Sequence, residues 1–219
     1  MKTFYIFLLI LAVPLISVFS QNLDISGKAR VKVMEPASNS AKIVTREPDG
    51  TLSQLTENSA TYTVGDFAQG GIIFWVSPDT KHGKVISLYD AGSTTWSNIT
   101  NTQIGSTAQS LINGAGNSVA ITLQDGHIVS AAEHCLKLSY SGYNDWYLPS
   151  LNEMGLVDSV KSVIDSSSTA NGGESLSTSK LYWTSTEYSS TVYYYDFSLG
   201  FASLAVKSTN QLVRAIRSF

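Results

Sequence analysis

The chain has 219 residues, 43% of them hydrophobic and 14% charged, with 14 Lys and Arg against 17 Asp and Glu for a formal charge of −3. This mild acidity argues against nucleic-acid phosphates as a partner and against capture of sulfated polysaccharide by charge alone. One cysteine, Cys135, excludes an intramolecular disulfide, so stability must come from packing.

The opening stretch, "MKTFYIFLLILAVPLISVFS", sets one lysine ahead of an apolar run that ends in Val18-Phe19-Ser20. It reads as a secretory signal, residues 1–20, removed before Gln21. The run from Phe4 to Phe19 is short for a bilayer span, lacks a basic stop on its far side, and is followed by no lipid-accepting cysteine. The expectation is an exported chain, secreted or at the cell surface, with no membrane span after signal removal and a formal charge of about −4 once Lys2 is lost.

Residues 21–58 read as short β-hairpins. Apolar and polar residues alternate at Leu23/Ile25 and Val31/Val33, and "AKIVT" and "TLSQL" are joined by "REPDG", a turn signal. Strands this few and short cannot bury a core alone. The segment resembles the β-rich stalk modules that precede receptor-binding heads in phage-tail-like and adhesin-like proteins, where three chains wrap together. That resemblance implies a homotrimer through the N-terminal segment; a ribbon folded on the main domain is the alternative.

The pattern then changes. "GIIFWV" and "KVISLY" flank "SPDTKHG", a hairpin opened by Gly70-Gly71. A Gly/Asn/Ser/Thr-rich linker leads to "NSVAITL", good for one or two helical turns. "IVSAAEHCLKLSY" follows, with Ile128, Ala131, Ala132, Cys135 and Leu138 on one helical face. In "YNDWYLPSLNEM", Pro149 biases Leu148 toward extended backbone, Ser150 caps the next helix, and Glu153 closes a capping box. This is a strand-to-helix corner, with Trp146 filling core beside it and needing one acceptor for its N–H. Leu151, Met154, Val157, Val160, Val163 and Ile164 give the helix an apolar stripe. The last third reads as four strands, "LYWTSTE", "TVYYYDFS", "FASLAVK" and "QLVRAIR", the last returning near the first. The whole is an α+β fold, helices packed on antiparallel sheet.

"GGIIFWV", "AAEHCLKLSYSGYNDWYLPSLNEM", "YWTSTE", "YYYDFSLG" and "VRAIRSF" together resemble the bacterial DUF1566 family, whose best-known member is the C-terminal head of a Legionella collagen-like adhesin. The likeness runs from about Gly65 to Phe219, within a domain placed at residues 59–219. It implies a C-type-lectin-like fold, distantly related to the formylglycine-generating enzymes, and an exported binding head without catalysis. Many relatives pair a cysteine of the first helix with one in the last strand, where this chain has Ala215. The resemblance therefore implies that Cys135 is a buried, unpaired relic.

An enzyme of the formylglycine-generating type would need a copper-holding cysteine pair, and this chain has one cysteine. His82, His127 and His134 lie in a turn, a loop and a helix with no hydrolase motif beside them, so no catalytic residue and no metal ligand is assigned. Calcium suits the fold class, but the ligand triplets of calcium lectins are absent. "SPD" at Ser77–Asp79 and "YND" at Tyr143–Asp145 are explained as turns, so no cofactor is expected.

Strand alternation in "TVYYYDFS" puts Tyr193, Tyr195 and Phe197 on one face, which Phe197 marks as buried. Tyr194 and Asp196 then point outward as the candidate ligand-binding pair. Glu187 and Arg214 read as a structural ion pair joining the meander to the last strand, and Trp183 and Trp75 as core. The loops Ser93–Gly116 and Ser166–Ser179 are the expected seats of specificity. The functional expectation is an adhesin-like head for an extracellular glycan or protein receptor; a structural subunit of a surface appendage or tail-like fibre is the alternative.

Overall fold

The computed structural model describes residues 44–46, 52–54 and 61–219. The chain divides into two units, Met1–Glu57 and Asn58–Phe219. In the first, strands β1 (Val44–Arg46) and β2 (Leu52–Gln54) pair antiparallel, with Val44 opposite Gln54 and Arg46 opposite Leu52. The hairpin expected around "REPDG" is therefore present. The signal segment and the Leu23–Val33 strands lie outside the described residues.

The second unit holds two sheets. One contains β3 (Phe67–Ala68), β4 (Gly71–Val76), β5 (Gly83–Ile86) and β11 (Ile216–Ser218), in the order β11-β5-β4-β3. The other contains β6 (Ser93–Thr95), β7 (Tyr182–Tyr188), β8 (Thr191–Asp196), β9 (Phe201–Val206) and β10 (Asn210–Leu212), in the order β6-β10-β7-β8-β9. The run "QLVRAIR" is thus not one strand. Its first part pairs parallel to β7, and its end crosses to lie antiparallel to β5, so the chain's end closes onto the β4–β5 hairpin. The element β6 comes from "STT", which carries no strand periodicity of its own.

Among the described residues the three expected helical stretches become four helices of changed length: α1 (Gly114–Thr122), α2 (Ala131–Leu136), α3 (Leu151–Ser159) and α4 (Lys161–Ala170). The expected stripe after Pro149 is split at Val160, whose backbone leaves helical geometry. Met154, Val157 and Ile164 are buried on either side of the break, while Val163 is exposed. The helix α2 is shorter than its periodicity suggests, and Ile128, 76% exposed, lies outside it.

The corner is built as its residues dictate. Glu153 is buried; its Oε2 accepts from the N–H of Ser150 (2.8 Å), the Ser150 hydroxyl (2.8 Å) and the N–H of Gly114 (3.1 Å). Its Oε1 accepts from Lys84 Nζ (2.8 Å) and the Tyr147 hydroxyl (3.0 Å). Lys84 also donates to the Ser218 hydroxyl (3.0 Å), so one carboxylate joins the starts of two helices to β5 and β11. The strand β7 is bulged between Trp183 and Glu187. The bulge turns its polar groups to the corner: Ser185 N–H donates to the Pro149 carbonyl (2.8 Å), and Thr186 Oγ1 accepts from Leu151 N–H (3.0 Å).

Two buried clusters result. One gathers Trp96, Ile121, Ala131, Cys135, Trp146, Trp183, Val192 and Ala215; the other gathers Met154, Val157, Ile164, Tyr182, Tyr195, Phe197 and Ile216. Tyr182 and Tyr195 are cross-strand partners, as are Trp183 and Tyr194, so by alternation the clusters lie on opposite faces of β7 and β8. Trp146 is fully buried as expected, tilted against Tyr140 at 6.0 Å, but its indole N–H finds no acceptor among the described residues. Trp183 is buried and donates to the Thr94 carbonyl (2.9 Å). Trp75 is not core: the pairing of β4 with β5 slips between Ile73 and Trp75, and the indole is 37% exposed.

Glu187 and Arg214 are both buried but do not pair with each other, because they serve different sheet ends. Glu187 pairs with Lys207 (2.5 Å) and accepts from the N–H groups of Ile104 (3.0 Å) and Gly105 (2.8 Å). Lys207 also donates to the Thr102 carbonyl (2.8 Å) and lies over the Trp96 ring at 5.0 Å. Arg214 pairs with Asp90 (2.8 Å) and donates to the Ser87 carbonyl (3.0 Å). A third clamp, Arg217, grips both oxygens of Asp145 (2.5 and 2.9 Å) and stacks on Tyr143 at 3.9 Å.

Breaking one side of a buried pair leaves an uncompensated charge. Glu187→Gln should therefore lower unfolding free energy by about 3 kcal/mol, read by chemical denaturation. The Arg217 guanidinium holds the Asp145 carboxyl below its usual range. The stability this adds is complete above the unfolded carboxylate value of about 4 and is lost as pH falls through the lowered native value. Thermal melts of Asp145→Asn against pH should show a flatter acid limb than the wild type.

Candidate functional site

Tyr194 and Asp196, the pair expected to face a ligand, share the face of β8 that carries Val192. Tyr194 is half-buried and packs on the Trp96–Trp183 cluster, because that face of β8 is covered at Val192 and Tyr194. The Asp196 carboxylate accepts from the N–H (2.8 Å) and hydroxyl (2.6 Å) of Ser198, which hold it below its usual range and tie the turn into β9.

The opposite face is covered at only one end. Tyr195 and Phe197 lie under α3, where the Tyr195 hydroxyl donates to Asp158 (3.0 Å) and burial pushes its pKa up to about 12. Toward the β7–β8 turn the helix no longer shields the sheet. Cross-strand register puts Tyr188 beside Thr191, Thr191 beside Val206, and Tyr193 beside Leu204 on that face. Tyr188 and Val206 are each 56% exposed, Leu204 is 40% exposed, and Tyr193 is half-buried. The Tyr188 and Tyr193 rings sit 5.9 Å apart, tilted by 59°. Together they form an amphipathic platform of two phenols and two aliphatic side chains.

The platform runs into a cleft of about 350 Å³ lined by Thr100, Asn101, Ser190, Thr191, Val206, Lys207 and Ser208. Val206 belongs to both, and Thr191, opposite Tyr188 and Val206 in register, lines the cleft. Hydroxyl and amide groups thus border exposed ring surface, and the Glu187–Lys207 clamp fixes the loop that brings Thr100 and Asn101 there. A second cleft, of about 400 Å³, is lined by Ser93, Ser179, Lys180, Leu181, Asn210, Gln211 and Leu212. Of the loops expected to carry specificity, Ser93–Gly116 therefore lines both clefts and Ser166–Ser179 only the second, through Ser179; Ser93–Thr95 is a strand and Ser166–Ala170 is helix. Sequence reasoning passed over Tyr188 and Tyr193 because one buried residue, Phe197, stood for a whole strand face.

Groups that could do chemistry are engaged elsewhere. Ser77, Asp79 and His82 share an exposed turn, but the serine hydroxyl bonds Asp79 and the His82 carbonyl rather than the imidazole. That order does not activate a serine. His127 bonds the Ser130 hydroxyl, and His134 faces the Ala91 carbonyl. Among the described residues no group of three or more His, Cys, Asp or Glu is placed to hold a metal ion. Cys135 is fully buried in the cluster that contains Ala215, and burial raises its thiol pKa far above the usual range.

The family model described as the Lcl C-terminal domain matches residues 88–217, more than half of the chain. No curated protein matches it. Among solved structures it is similar to the crystal structure of a fimbrial protein from Bacteroides ovatus ATCC 8483, at 18% identity and a TM-score of 0.54. The alignment covers 79% of this chain and 48% of that one, so the chain spans about half the length of that structure. At this identity the likeness is one of fold. Because a buried thiol without a basic neighbour is inert, Cys135 should resist an aromatic disulfide reagent in the native protein and react once denatured.

Proposed function

The chain belongs to the Lcl C-terminal domain family, and on that premise we propose that it is an exported, non-catalytic binding head that recognises extracellular glycan. The supporting observation is the exposed Tyr188–Tyr193 platform bordering a hydroxyl- and amide-lined cleft. Apolar ring surface packs on the C–H face of a sugar ring, while Thr100, Asn101 and Ser190 exchange hydrogen bonds with its hydroxyls. The fold is read as a variant of the C-type-lectin-like arrangement. Localisation is read as the cell surface or the medium, from the apolar N-terminal stretch and the family. Tyr194 and Asp196 are read as support for the platform from the other face of β8, and calcium as dispensable.

The fold's similarity to a fimbrial protein favours a second reading, a subunit of a surface appendage. The two differ in what the protein retains: a binding head captures defined sugars saturably, and an appendage subunit co-purifies with its own kind.

A glycan array probed with the secreted chain, with calcium and with chelator, tests the first reading. Binding should survive chelation. Tyr188→Ala and Tyr193→Ala should each lower affinity about tenfold for the selected glycan with little change in melting temperature, since both rings lie outside the buried clusters. A blank array from folded protein, or full binding by both variants, would refute the assignment.

A further inference from the structure

Four strands end the two sheets, and three of them are guarded. β3 is two residues long and is followed by Gln69, whose carbonyl accepts from Arg217 (3.0 Å). β11 exchanges backbone hydrogen bonds with Tyr147 at Ile216 (2.8 and 3.1 Å). β6 is three residues long, and the Thr94 carbonyl accepts from Trp183. The fourth, β9, is tied only at its end, where the Val206 carbonyl accepts from the N–H (3.2 Å) and hydroxyl (2.9 Å) of Thr209 in the turn that follows.

Phe201–Val206 pairs with β8 through six successive positions without a bulge, and "FASLAV" contains no proline and no charge. Sheet edges are ordinarily blunted by such features, because a free row of N–H and C=O groups is a template for another strand. Among the described residues no group bonds the backbone of Ala202–Ala205 from the outer side. Phe201, Leu204 and Val206 flank that edge and are 49%, 40% and 56% exposed.

We propose that β9 is a self-association edge, on which a second copy of this chain adds its own β9 antiparallel to form one continuous sheet. The sequence of the strand favours its own copy as occupant. A two-fold axis perpendicular to the sheet keeps each face on its own side, so a register centred on Leu204 sets Leu204 against its counterpart, Val206 against Ala202 and Ser203 against Ala205. Every such pair is uncharged, and only Leu204 meets a side chain of its own size across the axis, the others setting small residues against Val206 or against each other. Two copies of a chain with formal charge −3 can therefore meet there without opposing like charges across the seam. The same symmetry puts both Tyr188–Tyr193 platforms on one face of the joined sheet, a bivalent arrangement that does not depend on what the platforms bind.

Sedimentation of the secreted chain across a concentration series should show a monomer–dimer equilibrium. Leu204→Lys, which opposes two like charges at the axis, should raise the dimer dissociation constant about tenfold or more with the melting temperature nearly unchanged. Residues opposed across an antiparallel pair lie within disulfide reach, so Leu204→Cys should give a covalent dimer under mild oxidation while Ser179→Cys, away from the edge, should not. A strictly monomeric wild type would overturn the proposal, as would a trimer or any other oligomer that Leu204→Lys leaves intact, or equal cross-linking at the two cysteine positions. Because none of these readouts uses a glycan, a blank array and a failed edge are separable results.

Discussion

The domain depends on one buried carboxylate. Glu153 gathers five donors from four places in the chain: the first helix start, the corner, β5 and the hydroxyl of Tyr147 beside β11. Burying an ionised carboxylate costs far more than an ordinary hydrogen bond returns, unless its lone pairs are all used and a cation sits beside it. Both conditions hold, with Lys84 as the cation. The corner therefore specifies more than a helix start. It fixes where α1 and α3 begin relative to the strand that closes the chain, and hence which ends of the second sheet they cover.

Glu187, Arg214 and Arg217 repeat that solution at three other junctions, each with a partner of opposite charge and a backbone carbonyl or amide. Taking Asp90, Asp145 and Lys207 as those partners, every clamp joins residues far apart in sequence. A chain whose lone cysteine cannot form an internal bridge thus obtains non-local ties from ions instead. Their spacing leaves one region without reinforcement from a helix, the β7–β8 turn with the neighbouring end of β9, and there the apolar side chains reach solvent.

The corner was legible in "DWYLPSLNE" because proline, capping serine and boxed glutamate act within a few residues, and so was the β4–β5 hairpin. The meander was legible except where "QLVRAIR" changes sheets, since a crossover leaves no mark on alternation. Ion-pair partners were not legible: Glu187 and Arg214 each had to be charged and buried, but Lys207 and Asp90 are defined only by three-dimensional neighbours. The platform was missed for a related reason. Alternation separates the faces of a strand but is silent on where a covering helix stops, so Tyr193 and Tyr195 share a face and differ in exposure.

The loop beside the cleft is held in an unusual way. Glu187 and Lys207 reach it only through main-chain groups, the N–H of Ile104 and Gly105 and the carbonyl of Thr102. Peptide groups are the same whatever side chains they carry. Thr100 and Asn101 can consequently be exchanged for other residues while the anchor stays in place, so the scaffold separates heritable fold from negotiable contact surface. Randomising those two positions would give a library of heads that differ in what they touch and share a common foundation.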